Sequence, residues 1–90
     1  MIAKDKKILY SKIIAKFGKK RQTNLLIEKC QSLALTLQRA NNDYRVPMSK
    51  IYEDIVKVKI MIEQYEFVFG KKGLKEYENP QLNKWERLVR

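Results

Sequence analysis

The chain contains no histidine. That removes imidazole acid–base chemistry, histidine-containing zinc sites and histidine-based triads. It contains one cysteine, Cys30, so no internal disulfide can form, and a lone thiol fits a reducing cytoplasm. No stretch of about 18 apolar residues is present, which excludes an obvious transmembrane helix. The first residues, MIAKDKKILYSKIIAKF, have neither an uninterrupted apolar core nor a small-residue cleavage site, so no signal peptide is expected. Glycine (three) and proline (two) are scarce, which leaves few places where a helix must stop.

What remains is a 90-residue chain that is 44% hydrophobic, a composition for folding rather than disorder. Its length fits one domain spanning residues 1–90. A chain this short buries a thin core and often gains stability by association.

Acidic residues are the other shortage: ten, against twenty Lys and Arg, for a net charge of +10. The excess lies at the ends. Residues 1–21 carry eight basic residues and one acid, residues 22–70 carry six of each, and residues 71–90 carry six basic and three acidic residues. Basic ends suggest an acidic partner, a protein or a nucleic acid. Lys12, Lys16, Lys19, Lys20, Arg21, Lys71 and Lys72 are the candidate contacts, with Lys19-Lys20-Arg21 the densest cluster. The competing reading is a solubilising surface, since seven of the first eight basic residues are Lys and no aromatic side chains interleave them on one face.

Periodicity predicts four helices and an all-α fold. The first runs from about Lys4 to Phe17, with Leu9, Tyr10, Ile13, Ile14 and Phe17 in one stripe and Gly18 as its C-terminal cap. KKRQT reads as a basic linker, with Thr23 able to cap the next helix. The second helix, about Gln22 to Ala40, repeats Leu26, Cys30, Leu33, Leu37 and Ala40 at alternating spacings of four and three, which makes Cys30 a buried thiol. NNDYRVP forms the loop that follows it. The third helix starts near Pro47 or Ser49 and ends at Gly70. Ile51, Ile55, Val58, Ile62, Tyr65 and Phe69 make its main seam, and Tyr52, Val56, Ile60 and Phe67 a second strip. A helix apolar on two sides is central or shared with another subunit, which points to a homodimer. KKGLKEYEN reads as a turn region, and Asn79-Pro80 opens a short last helix carrying Leu82, Trp85, Leu88 and Val89, with Trp85 as a docking anchor. The expected architecture is a small antiparallel bundle with two long central helices.

Two stretches, KFGKKRQTNLLIEKCQSLALTL and IYEDIVKVKIMIEQYEFVFG, resemble the MazG-like, all-α nucleoside triphosphate pyrophosphohydrolase family, especially its small phage and Gram-positive members. The resemblance covers roughly residues 12–70. It implies a helical bundle that assembles as dimers or tetramers, and an enzyme hydrolysing (d)NTPs with magnesium. In that family an E-E-x-x-E helix and an E-x-x-D helix carry the carboxylates. Here the first motif falls on Glu28, Lys29 and Ser32, and the second on Asp54 and Lys57. Only Asp54 stands as a carboxylate among the four implied ligand positions, Lys29, Ser32, Asp54 and Lys57. An ammonium group cannot ligate magnesium and opposes its charge. Shifting the register to Glu28 with Gln31 and Glu53 with Val56 is no better.

The expectation is therefore a non-catalytic binding protein, phage or mobile-element encoded, cytoplasmic, and without a metal or cofactor. It would bind an acidic host protein as an inhibitor or anti-defence factor, or bind nucleic acid. The alternative is a residual magnesium-dependent (d)NTP pyrophosphohydrolase. If Lys29 and Lys57 replace the metal electrostatically, they should contact Glu28 and Asp54 across the two helices. The ammoniums could then also hold a phosphate.

Overall fold

The computed structural model describes residues 1–42 and 45–90. Those residues form three helices: α1 (Ala3–Asn41), α2 (Met48–Phe69) and α3 (Lys71–Val89). The all-α expectation holds, but the four-helix division does not. Among the described residues no helix is long and apolar enough to cross a membrane. Asp43 and Tyr44 of the expected NNDYRVP loop lie outside the described residues.

Gly18 organises α1. Its φ of 81° and ψ of 161° interrupt the helix and divide it into a first limb, residues 3–17, and a second limb, residues 19–41. This backbone region is essentially reserved for glycine. KKRQT is therefore helical rather than a linker. Thr23 lies inside the second limb, where its hydroxyl donates to the Lys19 carbonyl at 2.9 Å and shares a hydrogen bond with the Tyr65 hydroxyl of α2. It is not a cap.

The two limbs hold opposite sides of α2. On one side Thr36 and Thr23 of the second limb meet Asp54 and Tyr65, which sets an antiparallel register. On the other side, Tyr10 of the first limb meets Glu63 and packs edge-on against Phe67, with ring centroids 6.4 Å apart. Residues 54 and 65 share one face of α2, and residues 63 and 67 lie about half a turn round from it. The two-sided character of this helix is thus partly used within the chain. Tyr52, Val56 and Ile60 of the second strip stay exposed.

The buried face of the second limb is rotated from the apolar repeat read in the sequence. Gln22, Lys29 and Thr36 alternate along it with Leu26, Leu33 and Ala40, and all six are buried or half-buried. Cys30 and Leu37, expected inside, are exposed. The physical reason is polar pairing: Thr36 can face α2 because Asp54 accepts its proton there.

At the far end Gly70 repeats the geometry of Gly18, with φ 85° and ψ 153°. The helix that follows starts at Lys71, so KKGLKEYEN is helical, and Pro80 lies inside it rather than at its start. No residue of α3 is buried.

Candidate functional site

Of the five positions suggested for a remnant metal site, Asp54 is the one buried carboxylate, and the charge of Lys57 acts on it. Asp54 is only 1% exposed, and each of its oxygens has a partner. Oδ2 accepts the Thr36 hydroxyl at 2.6 Å, and Oδ1 accepts Lys50 Nζ at 3.1 Å. The Thr36 hydrogen bond, ahead of the Lys50 charge, holds this carboxyl below its ordinary range against the opposing effect of burial. Lys57 does not bridge the helices as expected: its Nζ lies 3.1 Å from Glu53 Oε1, one turn back on α2. The cross-helix partner of Asp54 is a neutral hydroxyl, one turn beyond Ser32. Glu28 and Ser32 are exposed and Lys29 is half-buried. Among the described residues neither Glu28 nor Lys29 forms an ion pair. One buried carboxylate engaged by a hydroxyl and an ammonium is not the hard-oxygen cage that magnesium takes, so these residues do not fit that ion.

This cluster is a structural clamp, and it makes stability acid-sensitive. Asp54 has a lowered folded pKa, so its contribution is present above the ordinary value of 3.8 and is lost as pH falls below it. Thr36→Val leaves the carboxylate without its buried donor and is expected to cost about 1–3 kcal/mol. Urea unfolding at stepped pH checks both points: the variant should unfold at lower urea at pH 7, and the gap to the parent should narrow as pH falls below about 3.8, because without Thr36 the folded carboxyl is no longer held below its ordinary value.

A second clamp ties the first limb down. Tyr10 donates to Glu63 Oε2 at 2.6 Å, and Lys6 Nζ lies 3.5 Å from the same oxygen. Burial, then the carboxylate, push the Tyr10 hydroxyl up to about 12. The Tyr10 hydrogen bond holds Glu63 below its ordinary range. This is a lysine–carboxylate contact between α1 and α2, but it uses Lys6 and Glu63 rather than the residues expected.

The feature with binding chemistry is the vertex at Gly18. Phe17, 40% exposed, carries two cations over its ring: Lys16 Nζ at 5.3 Å from the centroid and Arg21 Cζ at 4.9 Å. Lys19 Nζ lies 5.8 Å from the ring centroid of Phe69, which is 65% exposed. The end of α2 therefore meets the bend of α1, and Lys71 and Lys72 follow Phe69 directly across Gly70. Lys12 sits one helical turn before Lys16 on the same face. Lys20 is exposed beside Lys19. Among the described residues the ion pairs use Lys6, Lys50, Lys57 and Arg90, and none uses any of these seven candidates. Three of them, Lys19, Lys20 and Arg21, stand on the first turn of the second limb, where the helix dipole adds positive potential.

Periodicity places Phe17 and Phe69 in core stripes and leaves the basic residues without interleaved aromatics, whereas in the structure both rings are exposed and lie under the cations. The signal was present in the sequence as F-G-K-K-R and F-G-K-K, an aromatic, a glycine and a basic run, occurring twice. Two glycine bends, each flanked by a ring and cations, put these segments at the molecule's vertices. No protein-family model, curated protein or solved structure matches the chain.

Proposed function

We propose that this chain is a non-catalytic, basic helical binding protein that acts by occupying an acidic partner, either a host protein or nucleic acid. The reading extends to a degenerate relative of the MazG-like pyrophosphohydrolases, phage or mobile-element encoded, working as a homodimer in the cytoplasm. The observation that carries it is the vertex surface, where Lys16, Lys19 and Arg21 stand on exposed Phe17 and Phe69 with no carboxylate paired to them among the described residues. Cations resting on rings keep their charge and lose some of their freedom, which lowers the cost of ordering them against a partner. The commitment of Asp54 to Thr36 and Lys50 supports a binding role over magnesium-dependent turnover.

The test is capture from host lysate on the tagged chain, with and without nuclease. Retention of one protein after nuclease treatment supports an inhibitor or anti-defence role. Loss of all captured material on nuclease treatment supports nucleic-acid binding. Magnesium-dependent release of pyrophosphate from any (d)NTP would instead establish the residual enzyme and end the proposal.

A further inference from the structure

We infer that α3 of each chain docks in an apolar groove of a second copy, so that two chains dimerise by exchanging their C-terminal helices. The inference deepens the homodimer proposed above and rests on it.

The chain alone is under-buried. Its accessible surface is 7747 Å², whereas a folded monomer of this mass exposes about 5,500 Å². The radius of gyration is 15.9 Å, against about 12 Å for a compact domain of this length. The surplus, roughly 2,200 Å² per chain, is what an obligate dimer interface removes. Tyr10 and Met61 are the only buried apolar side chains among the described residues.

Two surfaces account for much of the surplus. The first is α3. Leu74, Tyr77, Trp85 and Leu88 form one apolar arc on it, with Leu82 and Val89 at its edge, and all six are more than half exposed. The second is a groove of about 850 Å³ beside α2, between the two limbs of α1. Leu33, Ile55, Val58, Ile62 and Phe67 line it. From Ile55 to Phe67 it follows α2 for about 18 Å, room for more than three turns of a helix.

The groove cannot be closed by the α3 of its own chain. Antiparallel helix hairpins need loops of about two to five residues. Gly70 alone joins α2 to α3, and its dihedrals match those of Gly18 within 8°. Two helices joined this way diverge, as the limbs of α1 do. The wedge between those limbs is partly filled by α2, while nothing among the described residues fills the wedge between α2 and α3. One carboxylate of α3 suits the same occupant, although that helix as a whole is basic. Four lysines, Lys6, Lys7, Lys59 and Lys71, and two carboxylates, Glu63 and Glu66, line the groove and leave it net basic, and Lys7, Lys59 and Lys71 form no ion pair among the described residues. Helical spacing puts Glu78 within the apolar arc of α3, so a docked α3 brings a carboxylate to that basic rim.

Trp85 is the only tryptophan, so it reports docking directly. Sedimentation and Trp emission are followed over a dilution series of the full chain. Ile62→Asp spoils the groove and Leu88→Asp spoils α3. Both sites are exposed in the single chain, so each variant should retain the circular dichroism of the parent. The expected result is a dimer with blue-shifted, quencher-protected Trp85 that becomes exposed as the dimer dissociates. Each variant alone should dimerise more than about tenfold more weakly, the loss typical of a buried apolar anchor. An equimolar mixture should recover association, because one intact groove then meets one intact α3. A dimer with Trp85 exposed and no response to Leu88→Asp overturns the exchange and leaves the homodimer standing. A monomer at every concentration overturns both, and Trp85 protected in a monomer shows α3 folding back on its own chain.

Discussion

Replacing Gly18 with alanine is expected to straighten α1 and release its first limb. Residues on both sides of Gly18 are already helical, and only the dihedrals of Gly18 interrupt them. An added Cβ meets no atom within 4 Å, so the obstacle is conformational rather than steric crowding from neighbours. A non-glycine residue held at this φ and ψ costs about 1–3 kcal/mol. The chain can avoid that cost by continuing the helix through position 18, which yields a rod about 58 Å long. The first limb then leaves α2, and the Tyr10–Glu63 and Lys6–Glu63 contacts are lost. Either outcome lowers stability. At about 4–8 °C per kcal/mol for a chain of this size, the melting temperature should fall by roughly 5–20 °C. Small-angle scattering should show a radius above 15.9 Å if the rod forms. Gly70→Ala is the contrast: it leaves the Tyr10–Glu63 and Lys6–Glu63 contacts untouched, and by changing the path into α3 it is expected to weaken dimerisation instead. An unchanged melt and radius for Gly18→Ala would remove the bend from its place in the fold.

The second large effect is on binding. Reversing Lys19, Lys20 and Arg21 together to glutamate replaces three attractions with three repulsions toward an acidic partner. At about 0.5 kcal/mol for each screened surface charge, the six changes sum to about 3 kcal/mol and weaken binding by about 100-fold at physiological salt. The fold should not suffer. All three side chains are exposed, and carboxylates on the first turn of the second limb suit the helix dipole better than cations do. The dipole gain offsets the loss of the Lys19–Phe69 and Arg21–Phe17 contacts, so stability is expected to hold within about 1 kcal/mol. Binding lost while stability holds distinguishes a functional surface from a structural one, since a structural role would move both together.

The all-helical class was legible because helical periodicity runs through most of the chain and few residues interrupt it. The third predicted helix, ending at Gly70, matches α2 closely. The boundaries at Gly18 and Gly70 were also legible as glycines, though as ends rather than as one-residue bends, because composition does not carry a dihedral angle. The buried stripe of the second limb was misplaced for a different reason. Periodicity weighs each side chain alone, whereas Thr36 turns inward only because Asp54 waits on α2. Lys57 misled in the same way: its nearest acid is Glu53 on its own helix. The basic residues were visible as a composition, but their aromatic platforms were not. Phe17 and Phe69 lie 52 positions apart and both carry vertex cations only once α1 has bent and α2 has packed into it. Pro80 inside α3 has no physical account in the contacts around it.

The most direct test of the central claim is partner capture by the parent chain and by the Lys19→Glu, Lys20→Glu, Arg21→Glu variant, measured side by side as salt is raised. The parent's affinity should fall steadily with salt, by orders of magnitude if the partner is nucleic acid, and the variant should bind about 100-fold more weakly at physiological salt while its stability holds within about 1 kcal/mol. Equal capture by the two proteins, with no dependence on salt, would contradict it.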